Sequence, residues 1–423
     1  MLVFKFGGAS VKDADAVKNV ASIIEMHQTE TIVTVVSAMG KTTNNLEKVV
    51  NAYYFKNDDA LVLLNEVKQF HHQIMMQLFN DEHSIFTDVN NLFIEIEWLL
   101  GETPRSYAFV YDQIVSIGEL VSTKIVSAYL NDIGVKNKWI DARDCIRTDN
   151  TYRNGKILWD ETNALVNENL LPHLSGVHNI TVTQGFIGGT SENYTTTLGR
   201  EGSDYTAAIL AYSLNASSVT IWKDVAGVLN ADPKFFDETI KLEQISYLDA
   251  IELAYYGATV IHPKTIKPLE NKAIPLYVKS FVKPESKGTV IGKDFDTKPF
   301  VPTFIFKSNQ VLISISAKDF SFIAEESLHD IFGVFARTGT KINLMQNSAI
   351  SFSVCIDYDH FATPELITEL KSKYKVLFNE NLQLYTIRHY NQLTLEALTK
   401  NREILLEQRS RHTTQLIMRA LPQ

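Results

Sequence analysis

Two short stretches of the chain carry residues whose types and spacing suit the chemistry of anions. The first is KFGGAS, residues 5–10, where an apolar, β-favouring LVFKF (2–6) runs into paired glycines. At a strand-to-helix junction, free backbone N–H groups and the positive end of the helix can hold a phosphate, and Gly7 and Gly8 would let it approach closely. Lys5 adds a point charge, although a tight turn with no ligand accounts for Gly-Gly equally well in isolation. The second is TTTLGREGSDYTA, residues 195–207. If Gly199 and Gly202 flank a turn into a helix near Ser203, Arg200 projects as a planar fork for a carboxylate or phosphate, with the hydroxyls of Thr195, Thr196 and Thr197 beside it. Asp204 then falls in the first helical turn, where capping alone explains Ser203 and Asp204 as well as catalysis does.

The elements that must position these residues follow from periodicity. LVFKF, a helix carrying Val17, Val20, Ala21 and Ile24, and TIVTVVSAMG (31–40) form a strand–helix–strand unit, the seed of a parallel sheet. Residues 42 to about 132 are mainly helical, with Ile114, Ile117, Val121, Ile125 and Ala128 as one apolar stripe ending at Gly134. From 178 strands and helices alternate again: NITVTQGFIGG, SDYTAAILAYSL, SSVTIWKDV, SYLDAIELAYYG and IPLYVKS. MGKTT (39–43) matches the end of a Walker A loop, but Val35 holds the first glycine position, which excludes a P-loop.

A boundary rich in Pro, Gly and charge covers 283–302. Beyond it, shorter elements run in β-α-β-β-α-β order: QVLISISA, a helix over 324–338, KINLMQN, ISFSVCID, a helix over 363–373 and YKVLF. A shorter module follows in LQLYTIRHY, TLEALTK, REILLEQ and TQLIMRA. The fold class read from this pattern is α/β, a largely parallel sheet between helices over 1–282, then two small α+β modules over 303–378 and 379–423, the second completed by a strand near 303–309.

At 423 residues two or three compact units are expected. Forty Lys plus Arg against 49 Asp plus Glu, net −9, argue against nucleic acid or an anionic membrane as partner, so any anion is held by a local site. Cys145 and Cys355 lack zinc spacing and suit a reducing cytoplasm. The N-terminus has no signal-peptide pattern and no run of eighteen apolar residues occurs, so an unexported protein is expected. His71 and His72 read as surface residues of a polar helical stretch, His262 as a cap or packing residue at the end of a 246–257 helix, and KNREILLEQRSRH (400–412) as a solvated face or edge.

In combination, KFGGAS, VVSAMGKTTNNL, SIGELVST, TQGFIGG, TTTLGREGSDYTAA, IWKDVAGVLNADPK and YGATVIHP occur in the order and spacing of the amino-acid kinase superfamily and most closely resemble aspartate kinase, over residues 2–280. The trailing modules resemble that family's paired ACT regulatory domains. The resemblance implies ATP and Mg²⁺, with L-aspartate phosphorylated on its β-carboxylate as the entry to lysine, threonine and methionine synthesis. It makes Lys5 the stabiliser of the migrating phosphoryl group, Asp204 its organiser, and Gly7, Gly8 and Ser10 neighbours of the phosphates. Arg200 would clamp the substrate α-carboxylate and Glu119 its ammonium, with Ser37, Thr43, Phe186 and Ser203 completing the pocket. Asp224 and Lys234 would serve the nucleotide, and no residue is assigned to a metal. Another carboxylate acceptor, or a catalytically weakened amino-acid sensor, are the alternatives.

The family pattern is broken at Ala9, Glu201 (usually Gly), Lys223, Leu229, Lys234 and Thr259 (usually Lys). Lys223 is expected to supply the charge missing at Thr259. ACT modules imply at least a homodimer. Asn343 and Ala349 replace carboxylates that receive a lysine effector, so lysine control is not expected, while a polar effector would use Asn343, Gln346 and Ser348. No homoserine dehydrogenase region is expected.

Overall fold

The computed structural model describes residues 1–174, 179–258, 261–293, 295, 300–319 and 321–419. The chain divides into two units, Met1–Val228 with Lys241–Ala254 and Thr259–Asp296, and Leu229–Ile240 with Tyr255–Ala258 and Thr297–Gln423.

The first unit is built on strands β1 (Leu2–Phe6), β2 (Ile32–Val36), β3 (Lys138–Ile140), β4 (Ile180–Gln184), β5 (Ile187–Gly189), β6 (Thr195–Thr197), β7 (Ser218–Lys223), β8 (Gln244–Ser246), β9 (Leu276–Ser280) and β10 (Thr289–Gly292). Eight of them form one sheet in the order β3-β4-β2-β1-β7-β9-β10-β8, and β5 pairs with β6. Every pair in the large sheet is parallel except β9 with β10. Helices α1 (Ala14–Glu25), α2 (Thr42–Phe55), α3 (Ala60–Leu78), α4 (Ile85–Leu100), α5 (Tyr107–Val115) and α6 (Ile117–Asp132) precede β3, and α7 (Trp159–Asn169), α8 (Gly202–Leu214), α9 (Tyr247–Tyr256) and α10 (Pro263–Asn271) follow it.

Alternation along β1 divides its side chains between two cores. Phe4 and Phe6 join the cluster containing α1 to α6, while Val3 joins Val33, Val35, Val219 and Ile221 against α8. Lys5 shares the face of Val3 and so stands on the α8 side. Ala207, Ala208 and Ala211 are fully buried, and their small side chains let α8 lie close on the sheet.

Three features differ from the sequence reading. The stripe from Ile114 to Ala128 is not one helix, because α5 ends at Val115 and α6 starts at Ile117, although Ile114, Ile117, Val121 and Ile125 are all buried as expected. His71 is buried, not at the surface, while His72 is exposed. The His71 Nδ1–H donates to the Val67 carbonyl at 2.7 Å, which leaves Nε2 to accept from the Thr42 hydroxyl at 3.2 Å. Burial pushes its imidazole down to about 4, against a smaller upward pull from the Val67 carbonyl. The folded state thus binds fewer protons than the unfolded one between that value and 6.5, and stability falls as pH drops through this window. The loss from this group is up to about 1.4 kcal/mol per pH unit. His71→Gln is expected to flatten that part of the pH–stability curve in urea titrations. His262 caps the start of α10, accepting from Lys264 N at 3.2 Å, and not the end of the preceding helix.

The second unit holds strands β11 (Thr303–Ser316), β12 (Ile342–Asn347), β13 (Ser351–Asp357), β14 (Lys375–Arg388), β15 (Ile404–Arg409) and β16 (Thr413–Arg419), with helices α11 (Glu325–Arg337), α12 (Ala362–Lys373) and α13 (Gln392–Thr399). The six strands make one antiparallel sheet, β12-β13-β11-β14-β16-β15. Its first α+β module has the β-α-β-β-α-β order, with Val311, Ile313, Ile315, Ile331 and Leu366 in its core. The start of β11, Thr303–Lys307, pairs with Leu384–Arg388 beside β16. β15, the charged REILLEQR run, is an edge strand. The Asn343 amide is engaged within the sheet, its Oδ1 accepting from Lys307 Nζ at 2.8 Å and its Nδ2 donating to Gln310 Oε1 at 2.9 Å. Ser348 Oγ is likewise turned onto the Ser351 hydroxyl, at 2.8 Å.

Both cysteines are free and buried, and burial pushes each thiol up to about 12. Among the described residues no helix is long and apolar enough to cross a membrane.

Candidate active site

The central strand β1 has β2 on one side and β7 on the other, so the chain order reverses at β1. In open parallel sheets ligands bind outside the carboxyl ends of the strands at such a switch point. A cleft of about 530 Å³ lies there, lined by Lys5 of β1, Ser37 beyond β2, Lys223 of β7 and the start of α8.

Lys5 is nearly buried, and its Nζ lies 2.6 Å from Asp204 Oδ1, on the first turn of α8. The pair follows from the alternation that points Lys5 toward α8 and from the turn that starts that helix. Gly185 makes the turn possible, since a Cβ there would stand 2.4 Å from the Ser203 Cβ. Gly8 is held as closely on the opposite wall, where a Cβ would meet the Ala38 carbonyl oxygen at 2.7 Å. Glu201, which precedes α8, is left-handed at φ 54, a conformation suited to glycine. Burial, and then the neighbouring Asp204, push its carboxyl above the usual range, and its buried Oε2 has no hydrogen-bond partner among the described residues.

The third wall is the start of α6. Glu119, 2% exposed, accepts from Ala38 N at 3.3 Å, and Ser122, nearly one turn on, donates to the Ser37 carbonyl at 2.7 Å. These two side chains hold the Ser37–Ala38 segment at the carboxyl end of β2. Burial pushes the Glu119 carboxyl up to about 8, opposed by hydrogen bonds from the Ala38 and Glu119 backbone and by the charge of Lys5. Its Oε2 is buried and has no hydrogen-bond partner among the described residues. Phe186, left-handed at φ 69, packs beside Gly202 and donates its N–H to Thr206 Oγ1 at 3.0 Å.

A carboxylate awaiting a cation, a guanidinium and a paired lysine in one cleft suit a zwitterionic carboxylate substrate alongside a phosphate. The family model of the Amino acid kinase family matches residues 1–280. The chain is 30% identical to lysine-sensitive aspartokinase 3 of Escherichia coli over 92% of this chain and 86% of that protein. The chain belongs to the aspartokinases, within the amino acid kinase family. It is also 34% identical to the chloroplastic aspartokinase 1 of Arabidopsis thaliana, over 87% of this chain, but spans only 65% of that relative's length. The E. coli aspartokinase III structure with lysine and aspartate superposes with a TM-score of 0.84 at 28% identity, covering 99% of this chain and 95% of that one. The structure of that enzyme with aspartate and ADP gives 0.82 at 27% identity, covering 99% and 96%. The α/β fold with its antiparallel α+β region is therefore that of an aspartokinase.

In this aspartokinase-family chain the cleft gathers Lys5, Gly8, Ser37, Thr43, Glu119, Phe186, Arg200, Ser203, Asp204 and Lys223 of the residues expected from sequence. Gly7 and Ser10 flank it without lining it; a Cβ on Gly7 would lie 3.3 Å from Lys5 Nζ, and Ser10 is buried in the 3₁₀ turn that follows. Asp224 is exposed at the end of β7 and is not part of the lining. Lys234 is exposed on the Leu229–Ile240 segment of the second unit. Thr259, for which Lys223 was expected to compensate, lies outside the described residues. Sequence reasoning missed Tyr111 and Arg153, both in the lining, and Asp112, a buried carboxylate behind them.

Proposed function

We propose that this chain is an aspartate kinase, transferring the γ-phosphoryl group of ATP to the β-carboxylate of L-aspartate and giving 4-phospho-L-aspartate. The observation that carries the reading is the Lys5–Asp204 ion pair sharing one cleft with Arg200 and the unsatisfied carboxylate of Glu119. That the E. coli relative's structures hold aspartate, and in one case ADP, supports it.

Glu119 receives the substrate ammonium and Arg200 the α-carboxylate, so the β-carboxylate is turned toward Lys5. That carboxylate is ionised at neutral pH and needs no strong base; the cleft has to align it and neutralise charge on the transferring group. Lys5 does this as a cation held rigid by Asp204, and the N-terminus of α8 adds its dipole. Gly7, Gly8 and Ser10 border the phosphates, and Ser37, Thr43, Phe186 and Ser203 enclose the amino acid. Lys223 and Asp224, at the end of β7, are assigned to the nucleotide. Mg²⁺ needs few protein ligands. Glu201, whose buried Oε2 has no hydrogen-bond partner among the described residues, would be the side chain that holds it. When bound, the ion neutralises phosphate charge.

The product would enter lysine, threonine and methionine synthesis in the cytoplasm, a compartment suited to the two free thiols. The α+β region is assigned as paired ACT-like modules that join chains into a homodimer or larger homo-oligomer, residues 1–282 being the catalytic part. The test is ADP release by the purified chain with ATP, Mg²⁺ and each of L-aspartate, L-glutamate and N-acetylglutamate. Turnover with aspartate alone is expected; turnover only with another acceptor, or none, would overturn the assignment.

A further inference from the structure

The residue after Tyr152 is an arginine in a left-handed turn, φ 66, at the edge of the cleft. Its guanidinium lies over the ring of Tyr111, 4.4 Å from the centroid, and 5.4 Å from that of Tyr107. Stacking on an aromatic face leaves the in-plane N–H edge available for a bidentate acceptor. The backbone of this turn is also fixed. Asp112, fully buried on α5, accepts from Arg153 N at 2.8 Å and, on β6, from Thr197 N at 2.9 Å and Thr197 Oγ1 at 2.7 Å. One carboxylate thereby ties the Arg153 turn to the strand that leads into Arg200. Gly155 N donates to the Thr197 carbonyl at 2.9 Å, a second tie between the same segments.

The surroundings say which ligand this guanidinium meets. Tyr111, over whose ring the Arg153 guanidinium lies, lines the cleft together with Glu119 and Arg200. Arg153 thus shares one cleft with Arg200 and with Glu119, to which the proposed substrate ammonium is assigned. A carboxylate on the same carbon as that ammonium is the anion within reach.

We propose that Arg153 is a second substrate-reading guanidinium, sharing the α-carboxylate of the amino-acid substrate with Arg200, and that Asp112 is the positioning residue that holds it there. The proposal rests on the aspartate reading above. It makes the cleft selective for a free α-carboxylate, because an amide at that position leaves two guanidinium groups without their anion.

The test is steady-state ADP release by the full chain with L-aspartate and with its α-amide as acceptors. For Arg153→Ala the aspartate KM is expected to rise about 10- to 100-fold, the loss typical of a charged hydrogen-bonding pair. The kcat and the ATP KM should stay within about twofold of wild type, and the preference for aspartate over the α-amide should shrink about tenfold or more. Arg153→Lys, which keeps charge but not the fork, should fall between. Asp112→Asn should raise the aspartate KM alone, and combined with Arg153→Ala should add little, as expected for residues acting in series. An aspartate KM within twofold of wild type in folded Arg153→Ala or Arg153→Lys would overturn the proposal, as would a change confined to the ATP KM. Wild-type protein without aspartate-dependent turnover would instead remove the aspartate reading beneath it.

Discussion

Lys5→Ala is expected to lower kcat about 1,000-fold or more, the scale on which a preorganised cation or donor contributes to phosphoryl and acyl transfer. The reason is geometric. Lys5 is placed by the central strand at the switch point of the sheet, and a 2.6 Å contact with Asp204 removes the freedom it would otherwise have to reorganise as charge develops. The same contact complicates the experiment, because the Asp204 side chain is only 4% exposed. Stranding a buried carboxylate costs about 3–5 kcal/mol, so the single variant should also unfold more easily. Lys5→Ala with Asp204→Asn separates the two effects. Stability measured by thermal unfolding should largely return in the double variant while single-turnover ADP release stays at the low rate. Recovery of both together would show that Lys5 serves the fold and not the phosphoryl group.

The parts of this molecule that were legible in the sequence are those whose signal is local. The strand, glycine turn and helix of 2–25 appear where the alternation and the apolar spacing put them, as do α8, β7, β9 and, in the first α+β module, α11, β12, β13 and α12. The elements that eluded reading are governed by contacts distant in sequence. The sequence reading starts one strand at Gln310 and places another near 303–309, yet β11 runs through both as one strand of 14 residues. Asn309 takes φ 53 at a bulge, and Gln310 is fully buried with its amide bonded to the Ser308 carbonyl and Asp357. Asn381, φ 56, does the same within the 14 residues of β14, which is why two expected modules share one sheet. The stretch around His71 reads as polar, and its site becomes interior through partners distant in sequence, Thr42 of α2 and Phe93 of α4. In the cleft, Glu201 falls at the position where the family pattern has Gly, and its left-handed backbone explains that pattern. Arg153 is left-handed too, but no motif surrounded it, and Asp112 sits in an apolar helix that offers no hint of a carboxylate tying two loops together.

Aspartate binding is expected to strengthen about tenfold between pH 6 and pH 7 and to level off above pH 8, with a proton released on binding at neutral pH. Burial holds the Glu119 carboxyl at about 8, so at pH 7 it is mostly protonated. An ammonium group seated against its unpartnered Oε2 requires the ionised form, and the proton must leave as the substrate enters. Calorimetry in two buffers of different ionisation enthalpy reads that proton directly. Glu119→Gln should bind aspartate at least about 100-fold more weakly at pH 8, the penalty for removing a buried charge partner, and should release no proton. Stability should move the other way. Because the folded state holds this proton more tightly than the unfolded state, the wild-type protein loses stability as pH rises from 4.5 toward 8 and is unaffected by this group beyond it. Glu119→Gln removes that slope and should unfold at a higher temperature than wild type at pH 8. A variant that lost both stability and aspartate affinity would mean that Glu119 is ionised and already satisfied in the empty cleft, and the site would then lack the unmet charge that attracts its substrate.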